Sequence, residues 1–190
     1  MLTGPIIYPP HPITFEQYMT EEQVKRRYDI VNGVRVFAVP PSFRHQDILG
    51  NFLSLFRDYA DQHGYAILYS LFDVLISWEP FCTRQPDVML VSKTLLQSHR
   101  DGEPLSIAPE LVVEILSSVD RELALQNKLR DYSAVGVQEC WVVRPESRTI
   151  EVMCATTEGF KAVQTHGAGE DAHSRTCQNL AVSVDEILSA

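Results

Sequence analysis

Three side chains carry the chemistry this sequence could perform: Asp87, Glu114 and Lys128. Glu114 sits in ELVVEILSS, Glu110 to Ser118, a run of branched aliphatics that reads as a strand. Alternation puts Val112, Glu114 and Leu116 on one face and Leu111, Val113 and Ile115 on the other, so the acid has no wet side. A carboxylate taken out of water must be neutralised, paired with a cation, or used as a metal ligand. Asp87, in PDVMLV, shares a strand face with Met89 and Val91. In the helix expected after Glu114, Leu125, Leu129 and Tyr132 form the inward stripe, and Lys128 falls among them, three residues after Leu125 and four before Tyr132.

Two close carboxylates repel unless a cation lies between them. A hard divalent ion such as Mg²⁺ takes one or two carboxylates, a main-chain carbonyl and several waters. With a lysine beside it, this arrangement suits phosphodiester hydrolysis: the metal polarises the phosphorus–oxygen bond and acidifies the water, and the ammonium stabilises charge growing on the phosphoryl oxygens. The competing reading is structural. Glu114 and Lys128 would form a buried ion pair that fixes the helix on the sheet, and Asp87 would be a turn residue at a strand end. For Glu114 alone the two readings balance; with Asp87 added, function is favoured.

These residues need a scaffold. Thr14 and Gln17 resemble a capping box opening a helix to about Arg26. YDIVNGVRVFAV, Tyr28 to Val39, reads as a hairpin turning at Asn32-Gly33. A long, half-buried helix follows, with His45, Ile48, Leu49, Phe52, Leu53, Phe56 and Tyr59 at helical spacing and its stop near His63-Gly64. Ala66 to Trp78 and Arg84 to Ser92 are each expected to be one strand, paired antiparallel. After the Glu114 strand, Asp120 can cap a helix over roughly Arg121 to Val135, and Gly136 leads into the strand QECWVVR. Strand, helix and strand of this length make a parallel crossover. TIEVMCAT and GFKAVQT add edge strands, Gly167 to His173 reads as loose, and Ser183 with Glu186 caps a last short helix. The expected fold class is α/β (α+β), a central mixed sheet flanked by helices.

At 190 residues, 45% of them hydrophobic, the chain suits one domain spanning 1–190. A net charge of -9 argues against coating nucleic acid by bulk electrostatics, so a polyanion would have to meet a local basic patch or bound metal. Lys25, Arg26, Arg27, Arg35 and Arg44 cluster in the first quarter and could form such a patch, although clustered surface charge is usually a solvated face. No apolar run approaches the ~20 residues of a membrane span, and the N-terminus lacks the pattern of a signal peptide, so a cytoplasmic setting is expected. Cys82, Cys140, Cys154 and Cys177 have no paired spacing and read as plain thiols.

Pro86-Asp87-Val88, VVEILS at 112–117, K-x-x-x-Y at 128–132 and GVQECWVV at 136–143 together resemble the Uma-two endonucleases, a branch of the restriction-endonuclease-like PD-(D/E)xK nuclease superfamily. The resemblance runs in order from the YDIVNG hairpin to about Pro145. It implies Asp87 and Glu114 as Mg²⁺ ligands, with Mn²⁺ a possible substitute and the Ile115 carbonyl as third ligand. The general motif has lysine two residues after the second acid, where this chain has Leu116; in this branch the lysine is thought to have moved to the next helix, which points at Lys128. The hairpin acid matches too, as Asp29 where the family usually has Glu, and the shorter side chain would reach the metal through water. WVVRP replaces the usual W-x-V-D-P, placing Arg144 where no catalytic role is evident. His45 falls where the family tends to have His, and a packed, hydrogen-bonded core histidine is the simpler explanation.

The expected function is a Mg²⁺-dependent endonuclease acting on nucleic acid, with DNA the first choice, and leaving a 5′-phosphate and a 3′-hydroxyl as the family implies. Asp87, Glu114, Lys128 and Asp29 form the expected catalytic set, and a homodimer is expected only by analogy. The alternative is a catalytically inactive nuclease-fold binding or interaction module. A third possibility keeps the metal chemistry with a nucleotide or RNA as substrate.

Overall fold

The computed structural model describes residues 11–22, 24–117 and 122–189. A six-stranded mixed sheet is its backbone. In spatial order it runs β10 (Gly159–His166), β9 (Thr149–Thr156), β8 (Glu139–Arg144), β7 (Leu111–Ile115), β6 (Val88–Ser92) and β3 (Tyr65–Tyr69). The β7–β8 pair is parallel, and α4 (Glu122–Ala134) joins the two strands; the other neighbours are antiparallel. A second sheet has four strands in the order β2 (Val34–Phe37), β1 (Tyr28–Val31), β5 (Phe81–Arg84) and β4 (Val74–Trp78).

Both faces of the central strands are apolar because helices cover both. On one face, Ile48, Leu49, Phe52, Phe56 and Ala60 of α2 (Phe43–His63) pack on Val113, Ile115, Trp141 and Val143. On the other, Leu125, Leu129 and Tyr132 of α4 pack on Met89, Val91, Val112 and Val142. The alternation expected for the Glu114 strand and the inward stripe of α4 therefore hold. α2 begins at Ser42, whose hydroxyl accepts from the His45 N–H, and ends at Gly64 with φ 76°. The parallel crossover, the Asn32-Gly33 turn, the capping box at Thr14 and the Ser183 cap of α5 (Val184–Ile187) are all present. The cap predicted at Asp120 lies outside the described residues.

Three expectations need correction. The helix opened by Thr14, α1 (Phe15–Thr20), stops well short of Arg26; it buries no residue of its own, and the Thr20 hydroxyl bonds back to the Glu16 and Gln17 carbonyls. Secondly, 66–78 and 84–92 are not single strands. Each stretch crosses from one sheet to the other: β3 and β6 pair in the large sheet, β4 and β5 in the small one. One crossing turns at Ser70, with φ 58°, and the other passes through Pro86, which has no N–H to continue a ladder. The end of the Gly167–His173 stretch, expected to be loose, is instead a strand, β11 (Asp171–His173), which pairs antiparallel with β12 (Ala181–Ser183). Between β6 and β7 there is also one short helical turn, α3 (Lys93–Leu96).

Candidate active site

Where the two sheets part, the chain leaves a cleft of about 360 Å³. Arg27, Asp29, His45, Asp87, Glu114 and Lys128 give it a polar floor, and apolar residues such as Phe37, Val39, Pro41 and Leu71 line the rest. All the acids and the lysine expected from the sequence are thus in one cavity.

Asp87 enters at the fork itself. Its main chain starts the central ladder: its N–H donates to Val113 O at 3.1 Å, and its carbonyl accepts from Ser70 N at 3.2 Å. Its side chain is almost fully enclosed, 3% exposed, and both carboxylate oxygens are used. Oδ2 accepts from the Ile115 N–H at 2.7 Å. Oδ1 accepts from the Arg27 guanidinium, and His45 Nε2 lies 3.0 Å away. His45 is buried and hydrogen-bonded as expected, and its partner is the site acid.

Glu114, 4% exposed, is one strand over. Lys128 Nζ donates to both of its oxygens, at 3.0 and 2.8 Å, and the Tyr132 hydroxyl donates to Oε1 at 2.5 Å. K-x-x-x-Y is therefore one helical turn that sends two donors to one carboxylate. Arg27 connects the two acids, because its Nη2 also lies 3.9 Å from Glu114 Oε2.

Asp29 faces the cleft from β1, yet its oxygens are spoken for. Oδ1 accepts from the Gln85 N–H at 3.0 Å and Oδ2 from Arg84 Nη1 at 2.9 Å, and Arg84 in turn binds Asp131 on α4. Asp29 therefore joins the hairpin to β5 and, through Arg84, to the helix that carries Lys128. The Ile115 N–H points at Asp87, and since a residue's N–H and C=O leave a strand on the same edge, the Ile115 carbonyl points that way too.

The electrostatics follow from burial among charges. Burial pushes the Asp87 carboxyl up, but Arg27 and His45 outweigh it and hold it at about 2. Burial and the charge of Asp87 raise Glu114 despite Lys128. For Lys128, burial lowers the ammonium, and Glu114 and Asp29 overcome it, for a net rise. Lys128 Nζ nevertheless keeps two short bonds to the Glu114 carboxylate, the contact of an ammonium with a carboxylate. Burial raises Asp29 as well, and Lys128 and Arg84 bring it below its ordinary value.

Arg27 is the residue that sequence reasoning missed, having been grouped with surface cations. The signal was charge balance: two buried acids and one lysine leave an uncompensated negative charge, so a second cation was required. Among the described residues no group of three or more His, Cys, Asp or Glu side chains forms a metal cage. The donor set nevertheless fits an ion that takes two carboxylates, a carbonyl and waters. The space between the acids accepts positive charge, as the guanidinium there demonstrates.

Against known proteins, residues 14–185 match the model of the Uma2 family, described as "Putative restriction endonuclease". The chain belongs to that family. Its fold is shared with a crystal structure described as "a putative nuclease belonging to DUF820" from Anabaena variabilis, with a TM-score of 0.73 at 18% identity, over 94% of this chain and 98% of that one. No curated protein matches the sequence. The restriction-endonuclease-like expectation of a mixed sheet flanked by helices is borne out. No helix among the described residues is long and apolar enough to cross a membrane.

Proposed function

We propose that the protein is a metal-dependent endonuclease, with 1–190 acting as one nuclease domain on nucleic acid, DNA being the first substrate to test. The observation that carries this reading is the convergence of Asp87 and Glu114, from adjacent strands, with Lys128 at the floor of one cleft. Asp87, Glu114 and the Ile115 carbonyl would hold Mg²⁺ or Mn²⁺. The ion, when bound, would polarise the phosphorus–oxygen bond and acidify the attacking water.

The protein's own residues do the remaining work. Lys128 holds an ammonium beside the reacting phosphate and stabilises charge growing on its oxygens. Tyr132 and Lys128 fix the Glu114 carboxylate in one orientation. Asp29 adds to Glu114 in keeping Lys128 charged and ties the hairpin to β5. Water attacks phosphorus in line, the bond to the 3′-oxygen breaks, and a 5′-phosphate and a 3′-hydroxyl remain. Cutting both strands of a duplex needs two such clefts, for which a homodimer is the simplest arrangement.

A second reading, a nuclease-fold interaction module, is favoured by one observation: all four oxygens of Asp87 and Glu114 already have protein partners. Thermal unfolding separates the two. Mn²⁺ is expected to raise the midpoint of the wild type by several degrees and to leave that of Glu114→Gln in place. Glutamine deprives Lys128 of its ion pair, so the variant starts lower, and only the metal-induced shift is diagnostic. The wild type should then nick plasmid DNA with Mg²⁺, and Lys128→Met should not. Absence of any Mn²⁺ shift together with absence of cleavage would give the module reading the lead.

A further inference from the structure

The cation already seated between the acids is the least expected feature of the cleft. The Arg27 guanidinium donates to Asp87 Oδ1, reaches the Gln85 carbonyl at 2.5 Å, and lies 3.9 Å from Glu114 Oε2. It thereby neutralises the charge that a divalent ion would neutralise, on the same oxygens. Ion and guanidinium would compete: two cations on one pair of carboxylates repel each other, and Asp87 Oδ1, which accepts from Arg27, is an oxygen that a metal held by Asp87 and Glu114 would need.

Arg27 is built so that it can leave. Its main-chain carbonyl is fixed by the Ala38 N–H at 3.0 Å, and the next residue is fixed by Gln85 Oε1 accepting from Tyr28 N at 3.1 Å. The backbone therefore stays in place when the side chain turns. That side chain is 24% exposed and lines the cleft, so its rotamers open into the space a substrate would enter. Among the described residues, no acid in the floor is free to receive it, since Asp29 is held by Gln85 and Arg84. Lys128 remains committed to Glu114 by two bonds. A guanidinium displaced from a carboxylate into a cleft finds its best new partner in a phosphate, whose oxygens match its paired donors.

We infer that Arg27 is a substrate-binding residue held in reserve: it neutralises Asp87 and Glu114 while metal is absent, and metal entry transfers it to the phosphate of the nucleic acid. This rests on the metal-dependent reading above and adds to it a residue with two successive partners.

The test measures two affinities in wild type, Arg27→Gln and Arg27→Lys, each first checked for cooperative unfolding. Mn²⁺ binding is followed by calorimetry, and binding of a phosphorothioate DNA duplex by fluorescence anisotropy at saturating Mn²⁺. Removing the competitor should tighten Mn²⁺ in Arg27→Gln by about tenfold, while removing the phosphate ligand should weaken the duplex by a similar factor. Arg27→Lys, which keeps the charge and loses the paired donors, should fall between on both measures, and it carries the test alone should the glutamine variant not fold. A residue with only a structural role would weaken both affinities or neither, and either result overturns the inference. If wild type binds Mn²⁺ and the variants bind it no more tightly, Arg27 alone is misassigned. If wild type binds no Mn²⁺, the metal-dependent reading falls with it.

Discussion

At the scale of single residues, the cleft floor is a balance of opposed charges around two carboxylates that water barely reaches. Asp87 contributes to stability with a definite sign. Its carboxyl is held at about 2 against an ordinary value of 3.8, because burial, which would raise it, is outweighed by Arg27 and His45. A depressed acid stabilises the fold fully above its unfolded value, and that contribution is lost as pH falls from 3.8 towards 2. The shift corresponds to about 2 kcal/mol. Urea denaturation at a series of pH values should therefore show the gap between wild type and Asp87→Asn narrowing by about this amount as the pH falls from 7 towards 2. Glu114 works the other way, since its raised value means that the folded protein takes up that proton more readily than the unfolded chain. A wild-type curve with no sag below pH 4 would show that Asp87 is not in the ion pair described.

At the scale of elements, the hairpin of β1 and β2 does more than carry Asp29. Its turn residues Asn32 and Gly33 have φ of 52° and 74°. The Gly33 N–H donates to Phe81 O at 2.8 Å, and its carbonyl accepts from Ile13 N at 2.8 Å. A β-carbon at Gly33 would meet the Pro12 Cβ at 2.5 Å and the Ile13 N at 2.9 Å, in a backbone conformation that L residues already resist. Gly33→Ala is expected to cost about 1–3 kcal/mol in chemical denaturation, and to loosen Arg27 and Asp29 with the hairpin. Much of this level was legible in advance: the Asn-Gly turn, the long helix ended by Gly64, the crossover and the odd lysine among Leu125, Leu129 and Tyr132 all have local chemical signatures. What was not legible was the passage of two strands between sheets. The residues on both sides of Ser70 and Gln85 remain strand-like and largely apolar, and only Pro86 and one left-handed residue mark the change. Arg27 was hidden for a related reason: its neighbours Lys25 and Arg26 read as surface, and nothing local distinguishes the one that turns inward.

At the scale of the whole molecule, a chain with a net charge of -9 would have to bind the proposed polyanionic substrate with few cations. Among the described residues, Arg27 and Lys128 are the arginine and lysine side chains lining the cleft, and both start in ion pairs. Counter-ion release should then be modest. The logarithm of duplex affinity is expected to fall with the logarithm of salt concentration at a slope of about -2, measured by anisotropy between low and physiological salt. A slope several times steeper would reveal a basic track outside the cleft and return attention to the cluster around Lys25 and Arg35.

The fork between the sheets bears on how this cleft would respond to any occupant. Arg27 and Asp87 are 60 residues apart in the chain, Asp87 and Ile115 are 28, and Glu114 and Lys128 are 14. The floor therefore draws on the hairpin, both sheets and the crossover helix together, and no partly unfolded form that releases one of these pieces can keep it. An ion or phosphate gripping the floor would suppress local opening across the protein, so amides in β1, β6 and α4 would slow their hydrogen exchange in concert, and the cleft would serve as a latch for the entire chain.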